Sequence, residues 1–216
     1  MSNPIFRAAA RWFPLLAFKG SQDYWQKRYS LGGDSGAGSF GDAAAYKTRV
    51  LNAFVAENQI SSLIEFGCGD GRQLEHARYP TYLGLDISAE AIRICRERFA
   101  GDASKRFMLA DAYAREKAEA ALSLDVIYHL VEDSVYAGYL QRLFAAAERF
   151  VVIYSSDESR GVGNLPHVRH RKVSEDVAIR FPDFVRRTDL EALLPEPVEY
   201  NRKVPTRFLF FSRRET

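Results

Sequence analysis

The sequence predicts an α/β fold: a doubly wound, mostly parallel seven-stranded sheet with helices on both faces and a C-terminal antiparallel hairpin. Three observations carry this reading. Short apolar runs alternate with helix-patterned segments from residue 61 to 156, the first run ends in closely spaced glycines, and the C-terminal part offers two strand patterns with no helix between them. SSLIEF (61–66) is the first strand, and GRQLEHAR (71–78) follows with helical character. TYLGLD (81–86) and SAEAIRICRERFA (88–100) form the next strand and an amphipathic helix, with Ser88 placed to cap it. RFMLAD (106–111), AALSLD (120–125) and RFVVIYSS (149–156) supply three further strands, and SVYAGYLQRLFAAAER (134–149) is the helix between the last two. PVEYNRKV (197–204) and TRFLFFSR (206–213) close the chain as a hairpin around Pro205 at the sheet edge.

The 216 residues suit one compact domain, divided into an N-terminal helical and lid segment (1–60) and a sheet-bearing body (61–216). With 47% hydrophobic and 27% charged residues the composition is that of an ordinary globular protein. A net charge of +2 does not by itself hold a polyanion, so nucleic acid is not an expected partner. Two cysteines, Cys68 and Cys95, without metal-ligand spacing indicate neither a disulfide scaffold nor a zinc site, and a cytoplasmic location follows as the expectation. No apolar run reaches the ~18 residues of a membrane span. Residues 5–18, with Phe6, Trp12, Phe13 and Leu16, read as a short helix packed on the domain in preference to a membrane-surface helix.

The stretch GGDSGAGSFG (32–41) matches three motifs at once. As a trypsin-like nucleophile segment it lacks a preceding histidine and sits in an α/β chain. As a phosphate loop it lacks a lysine directly after its last glycine, since Lys47 is too far from Gly41. As a dinucleotide fingerprint it lacks a feeding strand, because DYWQKRYSLGGDS is no strand. The second cluster, LIEFGCGDG, does follow a buried strand, with Arg72 standing where a nicotinamide-type fingerprint wants Gly or Ala. In open α/β sheets ligands bind beyond the strand carboxyl ends, so the residues after each strand are the ones to inspect.

These residues resemble the class I S-adenosylmethionine-dependent methyltransferases, and a bacterial small-molecule-type subgroup in particular. Glu65-Phe66-Gly67-Cys68-Gly69-Asp70-Gly71 is similar to that family's first motif, whose glycines let the backbone approach the methionine end of the cofactor. The resemblance implies that Asp86, with Ile87 after it, meets the ribose hydroxyls, and that Asp111, with Ala112, lies near the adenine. It implies that Leu124 and Asp125 line the cofactor and that His129 stands where small-molecule members often have histidine. It extends to YWQKRYSLGGDSGAGSFG and to HVRHR (167–171), and implies that 32–41 is a lid over the cofactor, with Trp25 and Tyr29 beside it.

Transfer from a sulfonium is an in-line displacement with an activated donor, so positioning dominates. Aromatic faces and carboxylates attract the sulfonium, each by roughly 0.5–2 kcal/mol, with Trp25, Tyr29 and Asp125 as candidates. A hydroxyl or ammonium acceptor must also lose a proton, which a base aids by ~10²–10⁴-fold. His129, His167 and His170 are the candidate bases. For His129 a packed ring bonded to backbone is as good a reading. For HVRHR, binding of an anionic or polyhydroxylated acceptor ranks above a metal, with a solvated basic loop as the plain alternative. His76 reads as surface and Cys95 as core. The expected function is methyl transfer to oxygen or nitrogen of a small or carbohydrate-like acceptor. The alternatives are an RNA or protein methyltransferase, for which the chain has neither an Asn/Asp-Pro-Pro-aromatic segment nor a basic appended domain, and a non-catalytic cofactor-binding protein of the same fold.

Overall fold

The structure is a computed structural model in which residues 18–159, 165–194 and 204–215 are described. The helix expected over 5–18 lies outside them except for Phe18, as does all but Val204 of the strand expected over 197–204. The strands are β1 (Ser62–Phe66), β2 (Thr81–Asp86), β3 (Lys105–Leu109), β4 (Ala118–Leu124), β5 (Ala147–Ser155), β6 (Phe184–Arg186) and β7 (Arg207–Arg213). They form one seven-stranded sheet in the order β3-β2-β1-β4-β5-β7-β6. β1 to β5 are parallel, and β7 runs antiparallel to both β5 and β6. The helices are α1 (Ser21–Ser30), α2 (Gly41–Glu57), α3 (Ala89–Arg98), α4 (Asp133–Ala146), α5 (Val173–Arg180) and α6 (Thr188–Ala192).

Central strands covered on both faces need apolar side chains pointing both ways, and β1 and β4 meet that need with nearly unbroken buried runs. On one face, Val50, Leu51 and Phe54 of α2 bury their stripe, and the Phe54 ring meets Phe150 and Phe210 at centroid distances of 5.3 and 5.1 Å. The lid half of the expected N-terminal segment thus ends before α2, which packs in the core of the body. On the other face, Tyr139, Leu140, Leu143 and Phe144 of α4 do the same, with Phe144 stacked on Phe181 at 4.2 Å. Ser88 caps α3 as expected, its Oγ accepting from the Ala91 N–H at 3.3 Å.

One expectation needs correction. GRQLEHAR makes only a single 3₁₀ turn, Arg72–Leu74, because Leu74 is its one deeply buried apolar anchor and a helix that short has no stripe to stabilise it. His76 is exposed, as expected, but in a turn. TRFLFFSR forms β7, which pairs antiparallel with β5 on one side and with β6 on the other. Phe208 to Phe211 are buried, as an apolar run in a sheet covered on both faces requires. The chain reverses its direction of winding between β1 and β4, and the crevice at that switch opens at the strand carboxyl ends.

Candidate active site

Beyond the carboxyl ends of β1, β2 and β4 lies a cavity of about 390 Å³. Trp25, Tyr29, Glu65, Gly67, Cys68, Gly69, Asp86, Ile87, Asp111, Leu124, Asp125 and His129 line it, whereas Gly71, Ala112, His167 and His170 do not. Its floor is the turn after β1. Gly67 and Gly69 have φ of 84° and 58°, a left-handed conformation open to glycine at little cost. A Cβ at Gly67 would lie 2.5 Å from Val126 Cγ2, and one at Gly69 would lie 2.3 Å from Ser35 Oγ. Gly71 instead faces Phe99 and Cys95, so its bareness serves the packing of α3, and Cys95 is fully buried as expected.

Three carboxylates converge above this floor. Asp86 is buried and accepts from the Ser88 N–H at 2.9 Å and the Gly69 N–H at 3.0 Å. Burial still dominates and pushes its carboxyl up to about 6, with the backbone donors of Ser88, Gly69 and Ile87 opposing. Glu65 accepts from Tyr82 OH at 2.7 Å, yet burial raises it to about 7. Asp125 has φ of 59°, a position that an Asp side chain tolerates better than most. Its carboxylate accepts from Lys47 Nζ at 2.6 Å and from Tyr128 OH at 2.7 Å. Lys47, only 1% exposed, also reaches the cavity wall. Its role went unread in the sequence although the signal was present: it shares the apolar stripe of α2 with Val50, Leu51 and Phe54, where a lone lysine needs a buried partner.

The glycine- and serine-rich stretch closes over the floor. Ser35 Oγ donates to Asp70 Oδ1 at 2.7 Å and accepts from the Asp70 N–H at 3.0 Å. Its one proton being spent, the 2.9 Å contact with Tyr29 is made by the phenol donating. Arg28 braces the stretch through Nε to the Asp34 carbonyl at 2.6 Å and Nη2 to its carboxylate at 2.9 Å. At the far end of α1, the Ser21 N–H and Oγ donate to Glu132 at 2.9 and 2.6 Å, and Ser21 Oγ accepts from the Val131 N–H at 2.9 Å.

The three candidate bases separate in space. His129 lines the cavity, with Trp25 edge-on at 4.9 Å. Its Nδ1 lies 3.0 Å from the His167 carbonyl oxygen; a carbonyl only accepts, so Nδ1 carries the proton and the neutral ring keeps Nε2 as its basic nitrogen. His167 stands behind it, stacked on Tyr24 at 4.4 Å, and burial, with the Arg28 charge, lowers its pKa. His170 pairs with Ser156 Oγ at 2.7 Å on another surface. Gln73 was likewise missed. Its Nε2 donates to the Ala44 carbonyl at 3.0 Å and to Thr48 Oγ1 at 2.9 Å, while its buried Oε1 has no partner among the described residues. Among the described residues no group of three His, Cys, Asp or Glu side chains could hold a metal ion, and no helix is long and apolar enough to cross a membrane.

Residues 64–151 match the family model described as a methyltransferase domain. Among solved structures, magnesium protoporphyrin IX methyltransferase (ChlM) from Synechocystis PCC 6803 with bound SAH superposes with a TM-score of 0.60 over 99% of this chain and 100% of that one, at 14% identity. N-methyltransferase NodS from Bradyrhizobium japonicum WM9 in complex with S-adenosyl-L-homocysteine gives 0.61 over 80% and 88%, at 14% identity. A DhpI–SAH complex gives 0.59 over 90% and 94%, at 18% identity. No curated protein matches the chain in sequence.

Proposed function

We propose that the chain, whose residues 64–151 match a methyltransferase domain, is a class I, S-adenosylmethionine-dependent enzyme that methylates an oxygen or nitrogen of a small acceptor, saccharides included, held beside Trp25 and His129. The donor set suits the cofactor. Each oxygen of the Asp86 carboxylate accepts one backbone N–H and keeps a further lone pair for a ribose hydroxyl. Gly67 and Gly69 hold the left-handed turn of the floor, with Val126 and Ser35 packed where a Cβ would lie, and Asp111 lines the cavity after β3. Bound there, S-adenosylmethionine supplies an activated methyl group whose leaving group is a neutral thioether.

The protein's own contribution is alignment and proton removal. Trp25 and the Asp125 carboxylate offer a ring face and negative charge to the sulfonium. Lys47 holds that carboxylate in place from below, which fixes its direction at the cost of part of its field. His129 takes the acceptor proton on Nε2 while Nδ1 stays bonded to the loop carbonyl, so the ring need not turn during the step. Gln22, Ser21 and Ser134 beside it provide short polar groups of the kind that orient hydroxyls and amines. The similarity to a protein named as an N-methyltransferase supports keeping nitrogen among the acceptors.

The observation that carries this reading is the fixed His129 tautomer at the wall of the cavity that also holds Asp86. Thermal unfolding with S-adenosylhomocysteine, and with NADH in parallel, tests its first half. At a hundred times its Kd a ligand adds about 2.7 kcal/mol, a rise of roughly 5–10 °C for a chain of this size. A rise with S-adenosylhomocysteine alone is expected, and no rise would remove the cofactor assignment. An acceptor screen over sugars and amines then tests the second half.

A further inference from the structure

The end of the cavity around His129 is built of segments whose charges balance. Ser21 ties the start of α1 to Glu132 and Val131, so that Trp25 shares this wall with His129, Leu130 and Val135. The carboxylates on these segments are already matched. Asp133 meets Arg169 and Arg171, each at 3.0 Å, and Glu132 lies in the field of Arg171, two charges against two. Asp125 meets Lys47 at 2.6 Å, and Asp23 of α1 meets Lys27 at 2.8 Å. A cation brought to this wall sheds water without gaining a carboxylate to replace it, which is costly in a closed site.

What the wall does offer is apolar. The Trp25 ring stands edge-on to His129 at 4.9 Å, and Val135, in the first turn of α4, is 40% exposed. A Cβ at Gly138, one turn further along α4, would meet nothing within 4 Å, which leaves room for a ring. The base then separates the uncharged acceptors. A neutral amine already has its lone pair free, whereas a hydroxyl must lose its proton as it attacks, and His129 Nε2 is placed to take it. A phenolic proton, with a pKa of ~10 as in tyrosine, is closer to imidazole in acidity than that of an aliphatic hydroxyl. We infer that the acceptor is a phenol, an uncharged aromatic hydroxyl compound whose ring lies between Trp25 and Val135; this rests on the methyltransferase reading above. The phenol oxygen bonds to the methyl carbon as the carbon–sulfur bond breaks, the electron pair of that bond stays on sulfur, and the phenolic proton passes to His129 Nε2.

The test is calorimetric titration of the full chain, loaded with S-adenosylhomocysteine, with naphthol and with naphthylmethylamine, which shares the ring and is an ammonium at neutral pH. Wild-type protein is expected to bind naphthol tighter by about tenfold or more, and to methylate its oxygen when S-adenosylmethionine is supplied instead. Val135→Asp places a carboxylate in the first turn of α4, where a helix accepts one readily. It should cancel or reverse the preference and leave S-adenosylhomocysteine affinity as in wild type. Equal binding, or a preference for the ammonium, in wild type would overturn the inference, and that ratio decides even where Val135→Asp fails to fold. A folded Val135→Asp that keeps the wild-type ratio would take Val135 off the acceptor wall and overturn it as well. So would naphthol that binds without being methylated, or neither compound binding beside tightly held S-adenosylhomocysteine, and both outcomes leave the cofactor reading intact. Absence of S-adenosylhomocysteine binding would overturn the cofactor reading and this inference together.

Discussion

The two sides of the cavity are assembled by different means. On the β2 side, Gly67, Gly69 and Asp86 are strand-end residues whose positions follow from the backbone: the Gly67 and Cys68 N–H groups donate to the Leu85 carbonyl at 2.7 and 3.0 Å, and Asp86 ties back to the Gly69 N–H. On the histidine side the contacts that fix the ring come from far along the chain. His129 is held by a carbonyl 38 residues away, and the ring beside it comes from α1, more than a hundred residues earlier. A site built from turns inherits its accuracy from the sheet, whereas a site built by convergence depends on every segment arriving. The first tolerates changes far away, and the second does not.

The largest expected effect tests the convergent side. His129→Ala should lower kcat by ~10²–10⁴-fold with an acceptor that needs deprotonation, and leave S-adenosylhomocysteine affinity unchanged in titration. Unchanged kcat would reduce His129 to a packed ring. Next is Asp86→Ala, expected to weaken S-adenosylhomocysteine by about 100-fold through loss of charge-assisted hydrogen bonds worth roughly 1.5–3 kcal/mol each. An affinity equal to wild type would take Asp86 out of the site and erase the contrast between the two sides.

A pH series sharpens the comparison further. Glu65 and Asp86 are raised to about 7 and about 6 from 4.5 and 3.8, so both favour the folded state when protonated. That contribution is complete below about pH 4 and is lost as pH rises through 6 to 7. The unfolding midpoint of the ligand-free protein should therefore fall between about pH 4 and 7, and Glu65→Gln should flatten the fall. Ligand binding runs the other way, because Asp86 accepts best as a carboxylate: S-adenosylhomocysteine should weaken below about pH 6. A midpoint independent of pH would contradict the burial of these carboxyls. The smallest effect is expected for Ser35→Ala, which removes the hydroxyl that joins Asp70 and Tyr29 under the closing stretch and should cost about 1–2 kcal/mol in thermal unfolding. A loss of several kcal/mol would mean that this stretch is part of the core.

The same contrast explains what was legible in the sequence. The parallel order of five strands, the Gly67–Gly71 turn and the Ser88 cap are properties of adjacent residues, so period and turn chemistry disclose them. The fate of GRQLEHAR was misread because helical composition says nothing of how little room and burial that segment has. The pairing of β7 with β6 went unread for a related reason, since pairing is settled by which strand is near in space. Lys47 and Gln73 could be suspected at most: a lysine in an apolar stripe signals a buried partner, but only the fold brings Asp125 to it from 78 residues away. Of HVRHR, the sequence offers two equivalent histidines, and the structure turns one into a stacking plate and the other to a separate surface.

The ties of Ser21 to Glu132 and Val131 at one end, and of Ser35 to Asp70 at the other, clamp a single span of chain across the cavity mouth. A molecule beneath such a strap leaves only as fast as the strap lets go. On the proposed reading turnover becomes a matter of traffic, and loosening either anchor trades dwell time for throughput.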